Sequence, residues 1–204
     1  MLIRRYLPII LAVLGLAGAM WWFLRPLPET ASSYRNGDRL APASVAKEGL
    51  VEEVNWDQLM PADWDPYLTL KGLDLSKLQD GDPKAVEAMN ASRERWNKAP
   101  VVPALNGKVI RIPGFLIPVD ANGTDVRSFL LVPYFGACIH TPPPPANQII
   151  DVNSPVPVRN AHMMDAVWVT GSLEIAPGDS LFGPVAYKLK ARHVEPYVKP
   201  AAVR

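Results

Sequence analysis

The chain has 204 residues, and its 21 lysines and arginines nearly balance its 20 aspartates and glutamates, which gives a net charge of +1. A chain without a positive field cannot hold a nucleic-acid backbone by charge, so no nucleic-acid partner is expected. The single cysteine excludes an intramolecular disulfide framework, and the 22 prolines argue against a long helical bundle.

Residues 1–25 are predicted to be a signal anchor that forms a transmembrane helix. Arg4 and Arg5 precede an uncharged run over 7–24, and its 18 residues span about 27 Å as a helix, enough for a bilayer core. Because positive charge stays on the inner side, residues 26–204 are expected outside the cytoplasm. The chain is therefore interpreted as a single-pass protein of the bacterial inner membrane with its bulk in the periplasm.

Two alternatives to the anchor stay open at this point. The small residues at 17–19 fit a cleavage pattern, so one alternative is a cleaved signal peptide. The other is a buried core helix. Trp21 and Trp22 favour the anchor, because paired tryptophans suit a membrane interface and so apolar a mature N-terminus is unusual.

The next two segments are predicted to lead from the membrane to the main domain. Residues 26–48 show no periodicity and are expected to be a flexible tether. Residues 49–100 are expected to form a helical lead-in that packs on the following domain. Its helix is predicted over 83–98, because Asp82 is a good N-cap and Pro83 suits the first helical position.

Three large apolar residues share one face of that helix. Val86, Met89 and Trp96 lie at spacings of three and seven residues, while the charged residues lie on the other side. The tryptophans of the lead-in are interpreted as core-packing residues, with ligand stacking as the alternative.

Residues 101–198 are predicted to form a small, mostly β domain, followed by a tail at 199–204. Short apolar or alternating runs between turn residues are typical of strands. Gly114 and Gly171 interrupt such runs where a small barrel would bend sharply. A five-stranded barrel of the oligonucleotide/oligosaccharide-binding (OB) type is the predicted architecture, and an open sandwich-like sheet is the alternative. The strands are expected at 108–118, 126–135, 149–152, 166–175 and 186–191.

The segment 133–148 is the densest unusual stretch of the chain. Cys138 and His140 are two residues apart, and a proline run follows at 142–145. Because prolines favour an extended backbone, both side chains are expected on one face. The only thiol is therefore predicted to lie beside an imidazole.

Three functions and a structural role fit this pair. Thiolate and imidazole suit zinc or copper(I), but two ligands do not complete a site. An imidazolium beside Cys138 would activate a nucleophilic thiolate, and an unpaired thiol can sense oxidants. The structural alternative has a small buried Cys138 and a His140 that satisfies a backbone group. Further metal ligands would come from His162, which with the neighbouring methionines is a weak copper candidate, from His193, Asp151 or Asp165, or from a partner protein.

Two amides close the proline loop. Asn147 and Gln148 directly follow the prolines, and they are predicted either to bind a ligand or to tie the loop to the sheet. The tie is the favoured interpretation.

Several long stretches resemble the bacterial domain-of-unknown-function family 3299. The central motif is long and specific, and the resemblance covers roughly residues 50–198. It rests on Gly-Lys-Val-Ile-Arg-Ile-Pro-Gly-Phe at 107–115, Phe-Leu-Leu-Val-Pro-Tyr-Phe-Gly-Ala-Cys-Ile-His at 129–140, Pro-Pro-Pro-Pro-Ala-Asn-Gln at 142–148, Val-Trp-Val-Thr-Gly at 167–171, Ala-Tyr at 186–187 and Trp-Asp-Gln-Leu at 56–59.

The resemblance implies an exported or membrane-attached envelope protein. It also implies a role near transporters of the ATP-binding-cassette type and a link to metal supply, but it carries no catalytic residues over. The expected function is a membrane-anchored periplasmic accessory or binding protein that serves such a transporter and handles zinc or copper through Cys138 and His140. The alternatives are a thiol-dependent redox protein or enzyme that uses Cys138 with His140, and a purely structural interaction module.

Overall fold

A computed structural model of the protein describes residues 34–41, 51–72, 82–122, 125–138 and 143–198. The predicted membrane segment 7–24 and the tail 199–204 lie outside these ranges. Inside them, no helix is long and apolar enough to cross a bilayer. In chain order the described elements are β1 (Glu52–Glu53), α1 (Pro83–Asn97), β2 (Val109–Asn122), β3 (Asp125–Val132), β4 (Ile150–Val158), β5 (Asp165–Ser180) and β6 (Gly183–Pro196).

Strands β2 to β6 close into a five-stranded barrel, so the structure is mostly β with one short helix. The order around the barrel is β2, β3, β4, β6 and β5, and β5 pairs back onto β2. Strands β4 and β6 are parallel, and the other barrel neighbours are antiparallel. All five predicted strands are confirmed, and the sheet is closed rather than open.

The two glycines at which bends were expected lie inside long strands. A Cβ atom on Gly114 would come within 2.7 Å of Leu131 Cγ and 3.0 Å of the Trp56 ring. Gly171 lies at an irregularity in the register between β5 and β6. Both glycines therefore mark places where other atoms approach the backbone too closely for a side chain.

The barrel interior is filled by the alternate residues of each strand. Along β2, Ile110, Ile112 and Leu116 are fully buried in this core. In β6, buried Tyr187, Leu189 and Ala191 alternate with exposed lysines, as the period-two pattern predicted.

A second apolar core covers part of the outside of the barrel. It contains Phe115 and Trp168 from the strands, together with Tyr197 near the end of the described chain. Residues 34–41 help to cover it. Tyr34 packs edge-on against Phe115 with ring centroids 5.0 Å apart, and buried Leu40 belongs to the same cluster.

Residues 34–41 are thus fastened to the barrel, although the sequence predicted a loose tether there. Gly37 N–H donates to Phe135 O, Phe135 N–H donates to Asp38 O, and Tyr197 O–H donates to Ala41 O, each at 2.9 Å. Sequence periodicity does not reveal such a short segment, because only isolated apolar residues carry the contact. The rest of the predicted tether lies outside the described residues.

The lead-in is joined to the barrel by buried hydrogen bonds. Strand β1 runs parallel to β2. Trp56 Nε1 donates to Pro113 O at 2.7 Å. The hydroxyl of Tyr187, in β6, donates to Leu59 O at 2.9 Å and accepts from Val102 N–H at 2.7 Å.

Helix α1 is confirmed at the predicted place, and Asp82 Oδ1 caps it by accepting from Lys84 N at 2.8 Å. Its apolar face is not buried, however, since Val86 and Met89 are 48% and 39% exposed. The helix is held instead through buried Ser92, whose hydroxyl lies 2.5 Å from that of Thr69. The helix therefore presents apolar surface beside the barrel.

Candidate functional site

The chain leaves β3 into the proline segment through a tight turn. Cys138 has a φ of +66°, in the left-handed region, so the backbone is not extended at this residue. The expectation that alternate side chains share a face therefore does not apply there. His140 lies outside the described residues, so its relation to Cys138 stays a prediction.

The thiol of Cys138 is partly buried beside the second core. Burial raises the pKa of Cys138 to about 11, because a thiolate loses its hydration there. At neutral pH the group is therefore a protonated thiol, which is a poor nucleophile and a poor metal ligand.

The other candidate ligands are scattered. His162 is 70% exposed, and its Nδ1 lies 3.7 Å from Asp165 Oδ2. His193 Nε2 lies 3.6 Å from Glu195 Oε2, while Asp151 pairs with a lysine. In the part of the chain that the structure describes, no three histidine, cysteine or acidic residues converge to hold a metal ion.

Asn147 and Gln148 form a buried turn that ties the proline loop to the lead-in, whereas the sequence predicted a tie to the sheet. Asn147 Nδ2 donates to Pro100 O, and Gln148 Nε2 donates to Trp56 O, both at 2.8 Å. The amide oxygens Oδ1 and Oε1 of these residues are buried and have no hydrogen-bond partner among the described residues. A buried acceptor without a partner is costly, so each of these oxygens needs a donor such as an ordered water.

Gln148 lies at the wall of a cavity of about 360 Å³, within the usual range for ligand pockets. Most of the residues that line this cavity are prolines or aromatic residues. The cavity is lined by Arg39, Asp57, Met60, Pro66, Tyr67, Trp96, Pro133, Tyr134, Pro144, Pro145 and Gln148.

A second cavity of about 360 Å³ adjoins the first, because Trp96 and Pro144 line both. It lies between α1, the proline loop and the β5–β6 hairpin. We call the two cavities together the Trp96 groove. The second cavity is lined by Met89, Arg93, Trp96, Asn97, Pro143, Pro144, Ile149, Phe182, Gly183 and Pro184.

Trp96 lies at the centre of the groove, and two contacts hold its ring in place. Its Nε1 donates to Pro66 O at 2.6 Å, and the Tyr67 ring meets it edge-on at 6.3 Å. Tyr67 is 59% exposed, so its ring is available at the rim. Trp96 was predicted to be a core residue; it lies between the core and the surface instead.

Among the described residues that line the groove, one charged side chain has no ion pair. Arg39 and Asp57 neutralise each other at one end, with Nη1 and Oδ1 3.3 Å apart. Arg93, in the second cavity, has no ion pair among the described residues. The groove is therefore mainly apolar and aromatic, and Arg93 is its one charged side chain without an ion pair among the described residues.

We expect Cys138 to alkylate slowly in the native protein. Relative to an ordinary thiol with a pKa near 8.5, its thiolate fraction at neutral pH falls by a factor of about 300. Iodoacetamide labelling of the full chain at pH 7.5 should therefore be that much slower than in guanidinium, and should rise about tenfold per pH unit toward pH 10. Equal rates in the two states would instead favour the thiol-enzyme hypothesis.

Comparisons with known proteins place the chain beside one family. The model of the family described as "Protein of unknown function (DUF3299)" matches residues 56–196. The chain is also similar to the crystal structure of a DUF3299 family protein from Pseudomonas aeruginosa PAO1. The identity is 34%, the alignment covers 75% of this chain and 100% of that one, and the TM-score is 0.59. No curated protein matches.

Proposed function

The chain belongs to the DUF3299 family, and from that premise we propose that it is a binding module held at the bacterial inner membrane and working in the periplasm. Its role is to bind a partner, not to catalyse a reaction. The observation that carries the proposal is the Trp96 groove, whose two adjoining cavities are lined mainly by aromatic and proline residues. Surfaces of this kind bind proteins or small ligands.

The barrel is proposed to be of the OB type. If β2 to β6 are counted as the first to fifth barrel strands, their spatial order around the barrel is 1-2-3-5-4. The fourth strand, β5, then pairs with the first strand, β2. The parallel pair is the third and fifth strands, β4 and β6. These features support a five-stranded Greek-key barrel, whose loops commonly carry binding sites.

The membrane location and the transporter role are further parts of the proposal. Arg4, Arg5 and the apolar run over 7–24 support an anchor with the barrel outside the cytoplasm. The partner is proposed to be a transporter of the ATP-binding-cassette type, which the family resemblance suggested. Two measurements test this location. After alkaline carbonate extraction, we expect the full chain to stay in the membrane pellet. Protease added to cells should digest the barrel only after the outer membrane is opened.

Zinc or copper handling through Cys138 and His140 stays a prediction. The raised pKa of Cys138 means that a metal must displace a proton that the protein holds tightly. The same protonation weakens the thiol-enzyme alternative, whereas the purely structural interaction module differs from our proposal only in lacking a dedicated site.

The proposal is tested by photo-crosslinking in living cells. A photoreactive amino acid replaces Tyr67 at the rim of the groove, and in a control it replaces Val156, which is 68% exposed on β4. We expect one discrete adduct from position 67 and none from position 156. Equal labelling at both positions, or none at position 67, would contradict the groove as the binding surface.

A further inference from the structure

The rings that line the Trp96 groove have a recurring use in peptide recognition. Tyr67, Trp96 and Tyr134 contribute aromatic rings to the first cavity, and Phe182 contributes one to the second. Aromatic-lined grooves bind proline-rich segments in the polyproline II conformation, because that helix is preformed and loses little entropy on binding. Two adjoining cavities suit a segment whose successive helical turns occupy one cavity each.

Charge selects among proline-rich segments. The pair of Arg39 and Asp57 leaves no net charge at one end of the groove. Arg93 at the other end has no described ion partner, so an acidic residue on the ligand would complete it. A basic segment would meet the same guanidinium with repulsion.

We propose that the Trp96 groove binds an extended, proline-rich segment of a periplasmic or membrane partner protein, with an acidic side chain of that segment paired to Arg93. The inference rests on the proposed function, because it names what the groove binds. The chain's own Pro-Leu-Pro-Glu at 26–29 has similar chemistry, and its occupation of the groove is treated as an outcome of the test.

The test uses the full chain in detergent and a fluorescent nonapeptide of prolines and leucines with a central glutamate. Fluorescence anisotropy should give a Kd on the order of 100 µM, and alanine in place of the prolines should weaken binding at least tenfold. Arg93→Glu should abolish binding of the glutamate peptide and confer binding of the matching lysine peptide. The control is Arg192→Glu, at an exposed position of β6, and it should change the binding of neither peptide.

A second variant distinguishes a loss of peptide binding from a loss of folding. Trp96→Ala should remove binding of both peptides, and its melting curve reports whether the barrel survives. Because Arg93 is exposed on the helix, the charge exchange at that position reports binding without disturbing the core.

Three results would overturn the inference. No binding at about 1 mM peptide, or equal binding of the alanine peptide, excludes a polyproline ligand. Binding that appears only after Pro26 and Pro28 are replaced by serine assigns the groove to the chain's own segment. If position 67 still crosslinks while the peptide fails to bind, the inference falls and the proposed function stands; if both fail, both fall.

Discussion

Replacing Gly171 with alanine is expected to destabilise the barrel by about 3 kcal/mol or more. The new Cβ atom would clash with the backbone oxygen of Lys190, and it would lie 2.6 Å from Leu189 Cδ2 and 2.9 Å from Ala191 Cα. Backbone atoms cannot swing aside as a flexible side chain can, so β5 and β6 would have to separate locally. Guanidinium unfolding of the full chain, followed by tryptophan fluorescence, measures the loss.

The matched control is Gly178→Ala in the same strand. Its nearest neighbour would be Val185 Cγ2 at 3.7 Å, an ordinary contact. The free energy of unfolding should change by less than about 0.5 kcal/mol, or rise slightly because alanine restricts the unfolded chain. Similar stability of the two variants would mean that β5 and β6 do not approach each other at Gly171 as described.

Replacing Tyr187 with phenylalanine is expected to cost about 2 kcal/mol. The change removes one hydroxyl but strands two backbone groups, Leu59 C=O and Val102 N–H, inside the protein. It therefore weakens the attachment of the lead-in more than the barrel. Thermal unfolding measures the loss, and Tyr67→Phe, at an exposed ring, should be nearly neutral. A loss below about 0.5 kcal/mol at Tyr187 would show that the hydroxyl does not hold the lead-in.

The pH dependence of this variant has a definite sign. Burial raises the pKa of Tyr187 above that of the unfolded phenol, which ionises near pH 10. The wild-type advantage over Tyr187→Phe should therefore be constant at neutral pH and should shrink as pH rises above 10, because the unfolded state then loses its proton first. An advantage that grows with pH would contradict the buried environment.

The sequence predicted the barrel well because strand burial has a simple period. Alternation in 186–191 and the double-sided apolar run 129–132 each state which faces are covered, and the structure agrees. Gly114 and Gly171 also indicate where neighbouring atoms leave no room for a side chain. These signals are local, so a single sequence carries them.

The groove could not be predicted in the same way. Its walls come from segments that are distant in the sequence, such as those that contain Trp96, Tyr134 and Phe182, and each of these aromatic residues by itself resembles a core position. The extended backbone expected at Cys138 was wrong for a different reason. The prolines suggested an extended backbone, but a left-handed residue at the turn breaks the alternation on which the prediction depended.

If residues 7–24 cross the membrane as proposed, the attachment of residues 34–41 to the barrel limits the distance between the barrel and the bilayer. Between the predicted membrane run, which ends at Leu24, and Tyr34 lie only nine residues. Fully extended, nine residues reach about 30 Å, so the proposed anchor would confine the barrel to a thin layer above the bilayer. Confinement of this kind gives a membrane partner an effective concentration of the barrel that can approach the millimolar range. A weak groove would then suffice for lasting association, and release could follow from a modest loss of affinity.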